Sequence, residues 1–234
     1  MKKIHFKSID STNIYGKNYI RENDSFHNTL IVADRQTNGK GRLTKSFHSE
    51  NGLYFSLLLD TRNKDYPLTL ACAVAVCETF NELYNIELKI KWVNDLLYKN
   101  KKVCGILAES IIEKDTVKGF VCGIGINTKE VILPDELKDL ATILPVENNE
   151  EITTRICEKI VYMYENNISP IDKYKSNLIL NVPVRVHKNN ETLFFGIARD
   201  ISDNGNLLVE ENGITHALNS GEISIKFEEK DEIL

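Results

Sequence analysis

The sequence predicts an α+β body followed by a small closed β-barrel. Apolar residues recur at helical spacing over residues 67–84, which indicates a buried helix packed on a sheet. After Asn181, five short apolar segments alternate with tight turns, and the Asn-Gly pairs at 204–205 and 212–213 are strong hairpin signals. No repeat or low-complexity linker separates the two regions. We therefore expect a first domain at 1–180 and a second at 181–234.

The composition is that of a soluble globular protein. The chain has 234 residues, of which 42% are hydrophobic and 27% charged, enough to bury a core. No apolar run approaches the length of a membrane span, and the N-terminal residues do not form a signal peptide. Five cysteines without a CxxC pair are expected to be reduced and buried. We therefore expect a cytoplasmic protein that does not enter a membrane.

Net charge limits the class of ligand. The formal charge of -5 argues against a general affinity for nucleic acid, because such binding requires a net excess of cations. The basic clusters are therefore local features of an acidic chain, and they favour a small anionic ligand.

Residues 34–49 form the most informative stretch, because it is too polar for a core and too rich in glycine for a helix. Gly39 and Gly41 allow backbone amides to approach a ligand closely, and Lys40, Arg42 and Lys45 supply positive charge. Predicted strands at 29–33 and 53–59 anchor both ends of this loop. The pattern indicates an anion-binding loop; an ordinary solvated loop is the alternative.

The first helix is predicted to begin at residues 9–13 and to end near Glu22, after a short strand at 4–6. Asp10 or Ser11 suits the N-cap position. Capping by itself explains the Ser-Thr-Asn triplet at 11–13. The alternative is that its two hydroxyls and amide offer donors and acceptors to a polar ligand.

Residues 88–110 predict a strand, a turn at 99–102 and a second strand from Val103. Lys91, Asn94 and Asp95 interrupt the first of these strands, where polar side chains must find partners. The next strand, at 117–127, contains a Gly-x-Gly pair but lacks the third glycine of a dinucleotide-binding loop, so we exclude a Rossmann site. Helices are predicted at 134–140, 150–166 and 170–178, and the strands of the second domain at 182–187, 192–201, 206–210, 214–218 and 223–227.

Taken in order, these motifs resemble a known family. The ordered set is Asp10-Ser11-Thr12-Asn13, Gly39-Lys40-Gly41-Arg42, Ser46-Phe47-x-Ser49, Lys91-Trp92-x-Asn94-Asp95, Lys102-x-x-Gly105-Ile106-Leu107-x-Glu109 and Gly123-Ile124-Gly125-Ile126-Asn127. This set resembles biotin-protein ligases over essentially the whole chain, in the short form that lacks an N-terminal DNA-binding domain. The resemblance implies a mixed-sheet catalytic domain with flanking helices and an SH3-like C-terminal β-barrel. It also implies that biotin and MgATP give biotinyl-5'-AMP, from which a carrier-domain lysine takes the biotinyl group.

The same resemblance assigns site residues and partners. Lys102 and Arg42 are the implied catalytic residues. The implied cofactors are ATP and Mg²⁺, the latter near Asp95, with biotin as substrate. The implied partner is the biotin carboxyl carrier domain of a carboxylase, without DNA, and a homodimer stays open. The residues implied to bind biotin are Ser11, Thr12, Asn13, Gln36, Gly39, Lys40, Gly41, Arg42, Lys102 and Gly105, and those implied to bind the nucleotide are Lys40, Arg42, Trp92, Asn94, Asp95 and Asn127.

Several positions depart from the family pattern. Lys40, Thr44 and Lys45 stand where arginine, glycine and arginine are usual, Phe47 replaces a common tryptophan, and Val93 replaces the usual proline. Lysine does not reproduce the two parallel hydrogen bonds of arginine, so these departures affect the closed geometry of the loop. Two alternative functions stay open: a lipoate or octanoate ligase or transferase of related fold, and a non-catalytic biotin- or nucleotide-binding module.

Overall fold

A computed structural model describes residues 1–42, 46–188, 191–220 and 223–227. A seven-stranded sheet, in the order β1-β2-β3-β7-β6-β5-β4, lies within the region predicted as the first domain. It is a mixed sheet, because β1 pairs with β2 in parallel and every other pair is antiparallel. Its strands are β1 (Lys2–Phe6), β2 (Thr29–Arg35), β3 (Glu50–Leu59), β4 (Lys89–Lys91), β5 (Asp95–Tyr98), β6 (Lys101–Glu113) and β7 (Thr116–Ile126).

Helices cover both faces of this sheet. Successive side chains of β3 point to opposite faces, so Leu58 packs under α1 while Leu57 and Leu59 belong to the larger core that includes α2 and α3. The absence of a side chain at Gly16 allows α1 to approach Leu58 closely. The expected buried helix on the sheet is α2. The helices are α1 (Thr12–Glu22), α2 (Leu68–Tyr84), α3 (Glu150–Glu165) and α4 (Ile171–Asn177).

All five strands predicted for the second domain are present. They form an antiparallel sheet in the order β11-β10-β9-β8-β12. Among the described strands, β11 and β12 are the two edges and no pairing joins them, so the sheet is open where we expected a closed barrel. The strands are β8 (Val182–Lys188), β9 (Glu191–Ile201), β10 (Leu207–Glu211), β11 (Ile214–Leu218) and β12 (Ile223–Phe227).

Two predicted elements differ from the structure. The single strand expected from residue 88 is two short strands, because the chain turns back at Trp92 and Asn94 and pairs Lys91 with Asp95. The polar residues that seemed to interrupt a strand therefore belong to a hairpin turn. The helix expected at 134–140 is only one turn of 3-10 helix, Asp135–Leu137.

Other expectations are confirmed. The five cysteines are free, and all are buried. No helix in the described part of the chain is long and apolar enough to cross a membrane.

Candidate active site

A cavity of about 500 Å³ opens between the two sheets. Most of the predicted site residues line it, although they come from segments far apart in sequence. These residues are Ser11, Thr12, Asn13, Gln36, Lys40, Gly41, Arg42, Trp92, Asn94, Asp95, Lys102 and Gly105.

One end of the cavity is built from the start of α1. Ser11 is the N-cap, and its Oγ accepts from the backbone N–H of Ile14 at 3.5 Å, so the capping role is confirmed and the residue lines the cavity as well. The Oε1 atom of Gln36 accepts from the backbone N–H of Thr12 at 2.8 Å and lies 3.1 Å from its Oγ1. The Nε2 atom of Gln36 donates to Ser49 Oγ at 3.0 Å. Hydrogen bonds thus hold these polar side chains in fixed orientations.

The glycine-rich loop is closed at its base. The backbone N–H of Phe47 donates to the carbonyl oxygen of Gly39 at 2.9 Å, and Lys40 and Ser46 form an isolated β-bridge. A Cβ atom on Gly39 would lie 2.5 Å from the oxygen of Phe47, so this closure requires glycine. Gly39 does not line the cavity; its geometry gives it a structural role. The predicted cation Lys45 and the departure at Thr44 lie outside the described residues.

Arg42 connects the loop to the second sheet. Its Nη1 atom donates to Asn94 Oδ1 at 3.3 Å, and its Nη2 atom donates to the carbonyl oxygens of Ile223, at 3.2 Å, and Ser220. Burial lowers the pKa of the guanidinium, and the carboxylate of Asp95 opposes this effect. Arginine is not deprotonated in proteins, so a partly buried cation lies where the loop meets the second sheet.

The hairpin between β4 and β5 supplies the opposite wall. Asn94 Nδ2 donates to the carbonyl oxygen of Ile106 at 2.8 Å. The Nζ atom of Lys91 lies 4.8 Å from the ring centre of Phe227 in β12. Trp92 is 4% exposed and donates its indole N–H to Gly205. The expectation that the polar side chains here have partners is thus met.

Lys102 stands where the loop and the hairpin meet. Its Nζ atom lies 2.5 Å from Asp95 Oδ1 and 5.6 Å from the ring centre of Phe47. The lining also includes Lys40, Arg42, Lys91 and Lys226, and Asp95 is the one carboxylate among the described lining residues. Five cations against one carboxylate make the cavity locally positive in a chain whose formal charge is -5.

A pair of glycines forms the floor beneath Phe47. Gly105 of β6 is paired with Gly125 of β7, and the Phe47 ring lies directly on them. A Cβ atom would lie 2.9 Å from the Phe47 ring at Gly105 and 2.5 Å at Gly125. The bare backbone of the two glycines therefore gives the Phe47 ring the room to lie at this point in the cavity.

Asn127 is the second predicted residue that does not line the cavity. It is buried, and its Nδ2 atom donates to the carbonyl oxygen of Thr142 at 3.2 Å. The backbone N–H of Thr142 in turn donates to the carbonyl oxygen of Lys102 at 2.8 Å. Asn127 thus supports the segment beside Lys102 from behind, and its contact with a nucleotide stays a prediction.

Sequence reasoning missed the contributions of two segments. Ile225, Lys226 and Phe227 of β12 line the cavity, as does Leu140, which follows the 3-10 turn and is 70% exposed. None of these residues lies in a motif. Their placement depends on how the second sheet and the 128–149 segment pack on the seven-stranded sheet, for which the sequence carries no local signal.

The arrangement suits a ligand with two different ends. Hydroxyl and amide groups at the start of α1 can recognise a neutral polar ring, whereas the cations around Lys102 can bind and polarise phosphate or carboxylate. The apolar surface of Phe47, Phe55 and Ile124 lies in the same cavity and can contact an aliphatic chain.

Comparisons with known proteins agree with this description. A family model described as the Biotin/lipoate A/B protein ligase family matches residues 5–127, and one described as the Biotin protein ligase C terminal domain matches residues 179–226. The bifunctional ligase/repressor BirA of Bacillus subtilis is 35% identical over 224 residues, which cover 88% of this chain and 69% of that protein. The chain therefore spans about two thirds of the length of that relative.

The match to two further proteins extends over most of the length of each of them. The biotin--[acetyl-CoA-carboxylase] ligase of Mycobacterium tuberculosis is 28% identical over 212 residues, which cover 83% of this chain and 77% of that protein. The biotin protein ligase from Aquifex aeolicus, solved in complex with biotin and ATP, has a TM-score of 0.83 and 30% identity, with coverage of 97% of this chain and 99% of that one.

Proposed function

Because this chain belongs to the Biotin/lipoate A/B protein ligase family and is similar to biotin protein ligases over most of its length, we propose that its cavity carries out biotin activation and transfer. The activity is the ATP-dependent formation of biotinyl-5'-AMP, followed by transfer of the biotinyl group to a protein lysine. One observation carries the assignment of the site: a single cavity joins a polar pocket at α1 to a cluster of five cations.

The polar end matches the ureido group of biotin, which has two N–H donors and one carbonyl acceptor. Gln36 uses one Nε2 hydrogen on Ser49 and keeps a second for a ligand oxygen. The Ser11 hydroxyl can donate, and the Thr12 hydroxyl, which donates to Gln36 and accepts from Ser56, can accept once more. The aliphatic chain of a fatty acid offers none of these hydrogen bonds and would leave the remaining donors and acceptors of the buried polar groups without partners, so we expect selectivity for biotin.

The cationic end matches the first chemical step. The biotin carboxylate attacks the α-phosphorus of ATP, a new C–O–P linkage forms, and the bond to pyrophosphate breaks. Two anions must meet in this step, so cations are needed where charge accumulates, and each well-placed donor lowers the barrier by about 3 kcal/mol. Lys102 and Arg42 are the residues that we assign to this role, with Lys40 and Lys226 beside them.

The second step forms the product amide. The neutral amine of a carrier lysine attacks the carbonyl carbon of the mixed anhydride, the bond to AMP breaks, and the amine loses a proton. Water would destroy the same anhydride, so the intermediate must be enclosed. Arg42 joins the loop to the second sheet over the cavity, which is the position from which a cover would act.

Mg²⁺ is proposed to enter with the phosphates of ATP. Magnesium prefers oxygen ligands and is commonly held by one or two carboxylates together with substrate phosphates. Asp95 is the carboxylate that the described lining offers, and its Oδ1 atom faces Lys102 at 2.5 Å. One carboxylate is compatible with a metal carried mainly by the nucleotide.

The proposal also covers the acceptor protein, the cellular compartment, DNA and the oligomeric state. We expect the biotin carboxyl carrier domain of a biotin-dependent carboxylase as acceptor, in the cytoplasm, and no specific DNA site for this chain. Light scattering after size-exclusion chromatography decides between a monomer and the homodimer that the family resemblance leaves open.

Mass spectrometry after mixing the protein with biotin and MgATP tests the function directly, with biotinyl-5'-AMP as the expected product. Parallel reactions with lipoate and octanoate, followed by pyrophosphate exchange into ATP, test the related ligases. Exchange driven by lipoate or octanoate rather than by biotin would overturn the assignment. Binding of biotin without any exchange would indicate the non-catalytic module.

A further inference from the structure

Glu109 of β6 lies outside the lining of the cavity and yet contacts one of its residues. Its Oε2 atom accepts from Asn13 Nδ2 at 3.0 Å, and its Oε1 atom lies 2.6 Å from Lys17 Nζ. Asn13 and Lys17 are four residues apart on α1 and therefore share one face of the helix. Each oxygen of the carboxylate thus holds one residue of α1.

The amide of Asn13 is almost fully used by the protein. Besides Glu109, its Nδ2 atom donates to the carbonyl oxygen of Leu107 at 3.1 Å, which accounts for both amide hydrogens. Its Oδ1 atom accepts from Ser56 Oγ at 2.6 Å and retains a second lone pair. That oxygen lies 2.0 Å from the position of a Cβ atom built on Gly123, which lines the same cavity.

We propose that Glu109, held by Lys17, is a positioning residue that fixes the Asn13 amide so that only its oxygen faces the substrate, where it accepts a hydrogen bond from a ureido N–H of biotin. This inference rests on the proposed function for the identity of the ligand. The orientation of the amide does not depend on the ligand, because it follows from contacts within the protein.

The chemistry of a carboxylate explains why this position carries an acid. An ionised carboxylate can only accept hydrogen bonds, so it selects the nitrogen side of the Asn13 amide and turns the oxygen towards the cavity. A glutamine at 109 would direct its oxygen to the Lys17 ammonium and its NH₂ group to Asn13. Asn13 would then face a donor at residue 109 and an acceptor at the carbonyl oxygen of Leu107, so its amide would no longer be held in one orientation. In the flipped orientation it presents a donor to the substrate, where the ureido N–H needs an acceptor.

Glu109→Gln is therefore the informative variant, because it is close in shape and removes one of the two acceptors that orient the Asn13 amide. We expect the Kd for biotin, measured by calorimetry, to rise about ten- to one-hundredfold, the loss that follows when a buried polar group is left without its partner. The KM for ATP and the kcat at saturating biotin should change less than about threefold, as expected for an interaction made equally in ground and transition states.

Glu113→Gln is the matched control. Glu113 is also on β6, and its carboxylate pairs with Arg21 of α1 at 4.0 Å and with Lys118 at 3.2 Å, but no hydrogen bond joins it to Asn13 among the described contacts. Glu113→Gln should leave biotin affinity unchanged. An equal loss in both variants would show that Glu109 merely attaches α1 to the sheet and would overturn the inference.

A double-mutant cycle with Asn13→Ala provides the second readout. If Glu109 acts through Asn13, then Glu109→Gln should have no further effect on biotin affinity in the Asn13→Ala background. Additive losses in the double variant would overturn the inference.

Nuclear magnetic resonance separates this inference from the proposed function. In the ligand-free protein, the side-chain NH₂ of Asn13 should exchange with solvent slowly in wild type and faster in Glu109→Gln. Equal exchange would contradict the positioning role even if the protein biotinylates its carrier. Conversely, a protein that forms no biotinyl-5'-AMP would refute the function, and the exchange difference would still support the control of Asn13 by Glu109.

Discussion

The indole N–H of Trp92 donates to the carbonyl oxygen of Gly205 at 3.1 Å and so joins the two sheets. Trp92 lies in the hairpin between β4 and β5, and Gly205 lies in the turn between β9 and β10, where its φ of 79° favours glycine. Tyr174 adds a second contact to the same hairpin, because its hydroxyl donates to the carbonyl oxygen of Val93 at 2.9 Å. The segment predicted to bind the nucleotide is therefore also the joint to which the second sheet is attached.

Trp92→Phe should weaken this joint. The change removes the donor and leaves the buried oxygen of Gly205 without its partner, so we expect the free energy of unfolding to fall by about 1 to 3 kcal/mol. Urea unfolding followed by circular dichroism measures the difference. Tyr84→Phe is the control, since it removes only an exposed hydrogen bond with Asn149 and should cost less than about 0.5 kcal/mol. Equal stability of the two variants would show that the contact between the sheets is not energetically important.

Lys102→Ala should lose adenylation far more than it loses stability. The ammonium group lies in the cavity at 2.5 Å from Asp95, and we expect a decrease of about 100- to 1,000-fold in biotin-dependent pyrophosphate exchange. Lys101→Ala is the control, because its Nζ atom contacts the carbonyl oxygen of Lys138 and does not line the cavity. Exchange in Lys102→Ala within a few-fold of wild type would rule out the catalytic assignment.

Arg42→Gly should still form biotinyl-5'-AMP, more slowly than wild type because one cation is lost, and should release it early. The substitution removes the hydrogen bonds to Asn94 and Ile223 that join the loop to the rest of the cavity, while Lys102 remains at the reacting groups. A released mixed anhydride acylates exposed lysines, so biotinylation of added albumin should increase when the carrier is absent.

Arg42→Lys distinguishes charge from geometry in this experiment. Lysine keeps the positive charge but cannot donate to Asn94 and the second sheet at the same time. We expect intermediate labelling of albumin. If adenylation persists in Arg42→Gly without any rise in albumin labelling, Arg42 contributes to ATP binding alone and the loop does not retain the intermediate.

Burial of Cys77 should make the free energy of unfolding decrease at alkaline pH. Burial raises the pKa of Cys77 from its ordinary value of 9.0 to about 12. The unfolded chain therefore loses this proton at a lower pH than the folded chain, so the stability present below pH 9 falls as the pH rises from 9 towards 12. Urea unfolding at several pH values should show a smaller loss over this window in Cys77→Ala than in wild type. Equal slopes would contradict the shift.

No specific DNA binding is expected from this chain, with or without biotinyl-5'-AMP. The formal charge is -5, and the cations of the cavity are local to the site. Footprinting at submicromolar protein and physiological salt is the measurement, because affinity for DNA depends strongly on salt. A protected sequence under these conditions would contradict the expectation.

The sequence predicted helices and strands correctly where apolar spacing and turn residues mark them locally. Helical spacing of apolar residues identified α2 and α3, and turn residues separated all five strands of the second sheet. The prediction of one strand from residue 88 was wrong because apolar residues lie on both sides of the polar Asn94-Asp95 pair, and only the pairing of Lys91 with Asp95 shows that the chain reverses there. The prediction of a closed barrel was not met among the described strands, since strand number does not determine whether the two edge strands meet.

The sequence by itself determined which chemical groups are available: the ordered motifs bring a polar triplet, a glycine-rich basic loop and a lysine into one chain. The tertiary structure decided which of them meet. Arg42 reaches the carbonyl oxygen of Ser220, which is 178 positions away, and Lys226 enters the cavity from a strand without any motif. Periodicity reports that a side chain faces a core, but it does not specify which distant element packs there, because that depends on contacts between segments far apart in the chain.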